Sequence, residues 1–520
     1  VGVRLCSRSI ASSKNRGDAA MTTLHVHSTS PARRLVRRAV NTALVAAAVG
    51  ALVFVERQKP VEQEGAGAAR IPLAAFAQQP TPPRISTSWF CPGVAAGDGL
   101  SAGRVVIANP TEAEVTAAVT LLSADGQEQR QVLVPARTQK SVDVLNGRTV
   151  GVVVPIVEVI GALASVEQQS EFAAGDVTAS CTTATSSTWY FADGVTLDGS
   201  SMRIMITNPF PETAVVDVAF TTVDGRRRPT SLQGLLIAPR SVRSLSMPDE
   251  GAADEQRVAV EVKTTTGKVV AARAQHYLGG GRLGYSTMLG VPQRLSKWWF
   301  AGGNTGANIV EQLVLFNPAE DDITVDAVFT GAGLSGDVAN GVAAPSATTS
   351  VAVPAGEVVV VNAGNVEGLP EGVHGISVST KDGSTFVAEH VINQRVAKSN
   401  FTAVMTGAPD ELATTTWRVP SGVTPGTPRA LTFVNTTVFD ATVRVSAIGP
   451  GGEFPIPSLQ TIPLPASGVT VIDMPLDATT GELIIESDQP IVVQRRLSRG
   501  RQLVGFSGVL ALPQPGANSR

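Results

Sequence analysis

The sequence predicts an all-β fold: four tandem immunoglobulin-like β-sandwich domains behind a single N-terminal transmembrane helix. Three observations lead there. An aromatic opening comes back four times, as SWFCPG (88–93), WYFADG (189–194), WWFAGG (298–303) and WRVPSG (417–422). Each opening is followed by stretches that alternate apolar and polar residues, with turn residues at regular intervals and no helical period. One apolar run, AVNTALVAAAVGALVFV (39–55), stands directly after the basic stretch RRLVRR.

A chain of 520 residues is too long for one core and implies about three to five domains. With 43 % apolar and 16 % charged residues it is neither a disordered chain nor a multi-span membrane protein. The net charge of −3 hides an asymmetry. Residues 1–55 carry a net +7, which leaves −10 for the remainder, so the bulk of the chain would repel nucleic acid.

The run 39–55 is interrupted only by Asn41 and Thr42. At about 1.5 Å per residue it is long enough for one membrane-crossing helix. Arg33, Arg34, Arg37 and Arg38 should hold its amino side in the cytoplasm and send the rest outward. The competing reading is a cleaved signal peptide. The only obvious small-x-small site, Ala75-Phe76-Ala77, lies about twenty residues beyond the run, so an uncleaved anchor is preferred. Residues 1–38 are then a basic cytoplasmic terminus, and 56–83, rich in Gln, Gly, Ala and Pro, read as a flexible tether.

The copies span 84–185, 186–294, 295–413 and 414–520. Each continues from its opening to RVVIANP, RIMITNP, LVLFNP or LTFVNT, which puts Asn109, Asn208, Asn317 and Asn435 at one equivalent position. In the second copy Val216, Val218 and Phe220 should face one way and Asp217, Ala219 and Thr221 the other. Each copy ends in a hairpin pattern and a short closing strand, DVTASCTTA, LGYSTMLGV, FTAVMTGAP or LVGFSGVLA. The asparagine is expected to end a strand by bonding its own backbone in a turn. The glycine closing each opening is expected to take a positive φ.

WYFADG, ITNP and DQPIVV resemble a domain of unknown function common in secreted and membrane-anchored actinobacterial proteins, whose copies open W-Y-F-A-E-G and continue L-x-N-P and P-I-V-A-E-R. The resemblance runs over about 84–515 and implies an extracytoplasmic β protein without an established activity. The acidic residue of the opening is Asp193 here and is replaced by Gly302 and Ser421; the V-A-E-R segment reads VAAR, VAEH and VVQR. These departures argue against a role that needs a fixed Glu-Arg pair in every copy.

Cys91 and Cys181 fall in the opening and closing strands of the first copy, and outside the membrane an even pair points to a disulfide. His276, His374 and His390 lack metal-ligand spacing, and no nucleophile elbow or phosphate loop is present. GGGRLG (279–284) sits between two strands and reads as a hairpin loop, since dinucleotide binding needs a helix there. No catalytic residue, metal or cofactor is therefore expected. The expected function is a non-enzymatic, membrane-tethered scaffold or binding protein of the cell envelope, contacting envelope polysaccharide or surface proteins. The alternative is carbohydrate recognition by exposed rings, with Trp189, Tyr190, Trp298, Trp299 and Trp417 as the candidates.

Overall fold

The computed structural model describes residues 73–80 and 86–514, apart from 98, 162, 174, 332–345, 397–398, 421–428, 475–480 and 499–505. The run 39–55 lies outside the described residues, as does most of the segment read as a tether. Among the described residues no helix is long and apolar enough to cross a membrane. Strands make up the regular structure there, joined by a few three-residue 3-10 turns.

The alternating pattern produces the strands it predicts. In Ala214–Thr222, Val216, Val218 and Phe220 are buried, while Asp217 is only partly so. The opposite face closes over toward its end, where Ala219 and Thr221 are also buried. Thr221 Oγ1 donates to Gly356 O of the next copy at 3.1 Å, so a neighbouring copy covers that end.

Each copy is a module of two antiparallel sheets. In the second, one sheet runs Thr188–Phe191, Ala259–Thr266, Ala214–Thr222, Gly225–Arg227; the other runs Ser241–Ser246, Ser201–Asn208, Val270–Tyr277, Gly284–Leu289. The opening strand edges the first sheet and the closing strand edges the second. Module 1 repeats this order, and module 3 does so with the short strand Ala408–Pro409 added outside its opening strand. In module 4 the strand Leu483–Ser498 runs through both sheets, which therefore join into one. GGGRLG is the loop of a hairpin, with Tyr277 paired to Gly284 across it.

The modules do not form a string. Their closing strands, Val177–Ser180, Gly284–Leu289, Ser399–Thr406 and Phe506–Leu510, pack on one another in a closed cycle, with the fourth against the first. Thr402 N donates to Leu283 O at 2.9 Å between modules 3 and 2. Thr178 N donates to Ser507 Oγ at 3.3 Å between modules 1 and 4. The Phe401 and Phe506 rings meet edge to face at 5.4 Å between modules 3 and 4. Each module has its own apolar cluster, yet the clusters run on across the seams: Trp299, Ala301 and Ala408 of module 3 belong to the core of module 4, and Leu512 of module 4 to that of module 1. Burial of this kind on every seam makes the four modules one ring.

Residues 73–80, read from composition as tether, are instead packed into that ring. Phe76 is buried and lies 6.0 Å from the Trp298 ring of module 3, in a cluster with Tyr190 and Val291 of module 2. Thr182 Oγ1 of module 1 donates to Ala75 O at 2.8 Å, and Gln79 N donates to Pro513 O of module 4 at 3.0 Å. Eight residues of linker-like composition thus touch all four modules. The apolar side chains of Leu73, Ala75, Phe76 and Ala77 hold them because the ring supplies a ready-made apolar centre.

Candidate functional site

The repeated residues were the sequence's best functional candidates, and the structure shows what each one touches. Trp89, Trp189, Trp298 and Trp417 are completely buried, each in the middle of a core cluster. The indole N–H of Trp189 donates to Val269 O at 2.9 Å, that of Trp298 to Phe386 O at 3.2 Å and that of Trp417 to Ile491 O at 3.1 Å, one equivalent carbonyl in modules 2, 3 and 4. Tyr190 and Trp299 are each 7 % exposed. None of the five candidate rings offers a face to a sugar, because a stacking ring must reach solvent. The exposed aromatics among the described residues are Phe210 and Phe439, in the turns after Asn208 and Asn435, where no repeat singled them out.

The glycine of the opening is required by crowding more than by torsion. Gly93 does take φ +93°, but Gly194 and Gly303 do not take a left-handed φ. What the three share is a strand carbonyl that an added Cβ would strike: Val153 O at 3.0 Å, Val258 O at 2.6 Å and His374 O at 2.8 Å. The opening strand lies too close to its neighbour for any side chain there.

The four asparagines form a repeated clip. Asn208 Nδ2 donates to Glu212 O, Ile237 O and Ala238 O at 2.7, 3.1 and 3.1 Å, and its Oδ1 accepts from Phe210 N at 3.0 Å. Asn109, Asn317 and Asn435 make the same set of bonds. The local turn is the one the sequence implied. The grip on a second loop about thirty residues ahead is additional, and it leaves these amides wholly buried.

The Glu-Arg element acts between modules. Strand register pairs Val105 with Gln168, Ile204 with Arg273, Leu313 with His390 and Leu431 with Arg495, the first of each pair lying four residues before its module's asparagine. Gln168, Arg273, His390 and Arg495 are therefore equivalent, as are the residues before them, Glu167, Ala272, Glu389 and Gln494. Arg273 of module 2 binds Glu389 of module 3, Nη2 to Oε2 at 2.8 Å, with both side chains buried. The same carboxylate accepts from Ala192 N at 3.0 Å and Asp193 N at 3.3 Å, so the WYFADG opening of one module is the socket for the glutamate of the next. Arg495 of module 4 holds Glu167 of module 1 at 2.5 Å in the same way, closing the ring.

The other two junctions lack both partners. Where module 2 has Ala272, Gln168 of module 1 turns back to Gly93 N and O, both at 2.7 Å. Where module 4 has Gln494, His390 of module 3 turns to Glu311 of its own module at 2.7 Å. Arginine and glutamate are lost together at each of these seams, and that matched loss is the signal sequence reasoning passed over. Between modules 1 and 2 a cleft of about 650 Å³ remains, lined by Ala95, Gly151, Val152, Arg203, Val242 and Arg243.

Two buried charge networks surround these junctions. Asp193 accepts two bonds from Arg282 Nη1, at 2.9 and 2.8 Å, and one from the Tyr277 hydroxyl at 3.4 Å. Burial pushes the Asp193 carboxyl up, but Arg282 and Arg273 outweigh it and hold it below its ordinary range. Burial likewise raises the Tyr277 phenol. Arg273 stays protonated, since Glu389 and its neighbours outweigh the cost of its burial. In module 3, His374 and His390 converge on Glu311, with Nε2 to carboxylate oxygen distances of 3.1 and 2.7 Å. Burial raises the Glu311 carboxyl, yet the bonds from the two histidines bring it down to about 2. Sequence reading took these histidines as isolated. No cluster of three or more potential metal ligands occurs among the described residues.

Cys91 and Cys181 form a disulfide, with their Cα atoms 4.2 Å apart. It joins the opening strand of module 1 to the end of its closing strand, beside the paired Phe90 and Thr182 backbones. Modules 2 to 4 contain no cysteine.

An all-β chain whose repeated openings serve as sockets for the next module defines a repeat-built protein with a shared docking motif. The chain belongs to a family of unknown function, DUF5719, whose model matches residues 157–282 and 293–507. The two matched stretches cover most of modules 2, 3 and 4 and the end of module 1, so the buried arginines and glutamates of both charged junctions lie inside them. No curated protein matches the chain.

Proposed function

We propose that the protein is a non-enzymatic scaffold of the cell envelope: four immunoglobulin-like sandwiches closed into a rigid ring, tethered by one helix over 39–55 and standing on the extracytoplasmic side of an actinobacterial plasma membrane. The observation that carries this reading is the use of the repeated residues. Trp, Asn, Gly, Glu and Arg of the motifs are engaged in packing or in joining module to module, which is what a rigid platform needs and what an active site does not. The Cys91–Cys181 disulfide fits an oxidising compartment. The arginines at 33, 34, 37 and 38 favour export of the chain on their carboxyl side. Partners, in this reading, are surface proteins or envelope polysaccharide bound on the outer faces of the ring, where Phe210 and Phe439 are exposed.

The test is protease shaving of intact cells that express the full chain. External protease should release a compact, disulfide-containing fragment beginning in 56–72, with the ring itself resistant. A ring that stays protected until the cells are lysed would overturn the proposal.

A further inference from the structure

The centre of the ring is hollow. Where the four closing strands meet, they line a cavity of about 100 Å³, with Phe76 and its alanine neighbours among its lining residues. Every module contributes to its wall: Ala179 from module 1, Met288 from module 2, Ala403 and Met405 from module 3, and Val509 from module 4. Among the described residues no Asp, Glu, Lys, Arg or His lines it.

Two features keep the space from collapsing. Each closing strand is held along its outer edge by a full ladder to the strand before it, as Val391 to Val404 and Gln168 to Ala179 illustrate, so none is free to slide inward. About half of the lining residues are small: alanine, glycine, serine and threonine are interspersed with larger apolar groups. Some of the hydroxyls on the wall are engaged across or along the seams. Ser507 Oγ accepts from Thr178 N, and Thr402 Oγ1 donates to Asn393 Oδ1 at 2.7 Å. A lining that carries no charged group and is more apolar than polar favours an apolar guest over water, as apolar cavities stay dry and admit apolar molecules. Protein interiors otherwise leave few voids of this size.

We infer that this cavity is a binding site for a slender, uncharged hydrocarbon group, either a small free molecule or the end of an alkyl chain. The volume is about two-thirds of an engineered cavity of about 150 Å³ that admits benzene and xenon, which sets the bore at a short alkyl group. Met288 and Met405, unbranched and polarisable, would adapt to its shape. This inference does not depend on which side of the membrane the ring occupies.

The probes are xenon, n-pentane and octanoate, presented to the full chain in one detergent. Xenon NMR should show one saturable site per chain, and pentane should raise Tm. Octanoate should raise it too if the guest is the end of a longer chain, and should leave it unchanged if only small free molecules enter. Ala403→Leu and, separately, Ala179→Val fill the bore and should each abolish xenon saturation and the pentane shift. Equal responses from wild type and either folded variant, or a wild-type chain with no saturable xenon site, would overturn the inference. The wild-type xenon measurement decides the matter even if both variants fail to fold.

Discussion

Asn208 shows how much one side chain can carry in this protein. Its amide closes a local turn and clamps a second loop, and replacement by alanine leaves three carbonyls and one N–H without their partner. We expect Asn208→Ala to cost about 2–3 kcal/mol in denaturant titration, the range for leaving buried polar groups unsatisfied. The buried ion pair behaves differently. Glu389→Ala should destabilise by about 3–5 kcal/mol because it strands the Arg273 guanidinium, whereas Arg273→Met with Glu389→Leu together should recover most of that loss. Stability measurements on Arg273→Met, Glu389→Leu and the two combined would give the coupling directly. Glu311 makes a pH prediction. Its carboxyl is lowered from an ordinary 4.5 to about 2, so its contribution is present above pH 4.5 and disappears as pH falls from there through about 2. Acid titration should therefore show a stability loss of roughly 3 kcal/mol in that window, and Glu311→Gln should flatten it. The asparagine was legible because it recurs at one spacing. The histidines were not: Glu311, His374 and His390 are far apart in sequence and on three different strands, and alternation records which face a residue takes but not which residues meet across it.

At the scale of elements, the places of the strands along the chain follow from the pattern, and their order in the sheets and packing on one another do not. Val216, Val218 and Phe220 announced a half-buried strand, and its inward face is as read. The outward face was misjudged near Thr221 because another module covers it, a fact absent from any local period. The same blindness explains the stretch 73–80. AQQPTPP has the composition of a linker, yet LAAFA before it carries enough apolar surface to enter a preformed apolar centre. Phe76→Ala should cost about 3–5 kcal/mol, as for other buried phenylalanines. Hydrogen exchange should then speed up first in the closing strands Gly284–Leu289 and Phe506–Leu510, which share the cavity with Phe76. Unchanged protection there would mean that the segment merely rests on the ring.

On the scale of the whole molecule, four repeats could be counted from the sequence, while their closure into a ring could not. Closure depends on Glu167 meeting Arg495 across 328 positions, and the register of two distant strands decides it. The matched absence of both partners at the other two junctions was visible in the letters, but only a ring makes it meaningful. The disulfide adds a covalent clamp at module 1, whose junction with module 2 lacks the buried arginine–glutamate pair and borders a cleft. Opening it should lower stability by about 4–5 kcal/mol on the chain-entropy estimate for its loop. Reduction followed by calorimetry should show the first melting step in module 1.

Gln79 and Pro513 share a backbone hydrogen bond, so the point where the chain enters the ring and the point where it leaves are neighbours in space. A circular permutant would exploit this: new termini cut into the 292–296 connection, with a short linker bridging the old ends, should regain the native melting profile. In such a molecule "first" and "fourth" are only the order of synthesis, and the fold would be indifferent to where translation begins.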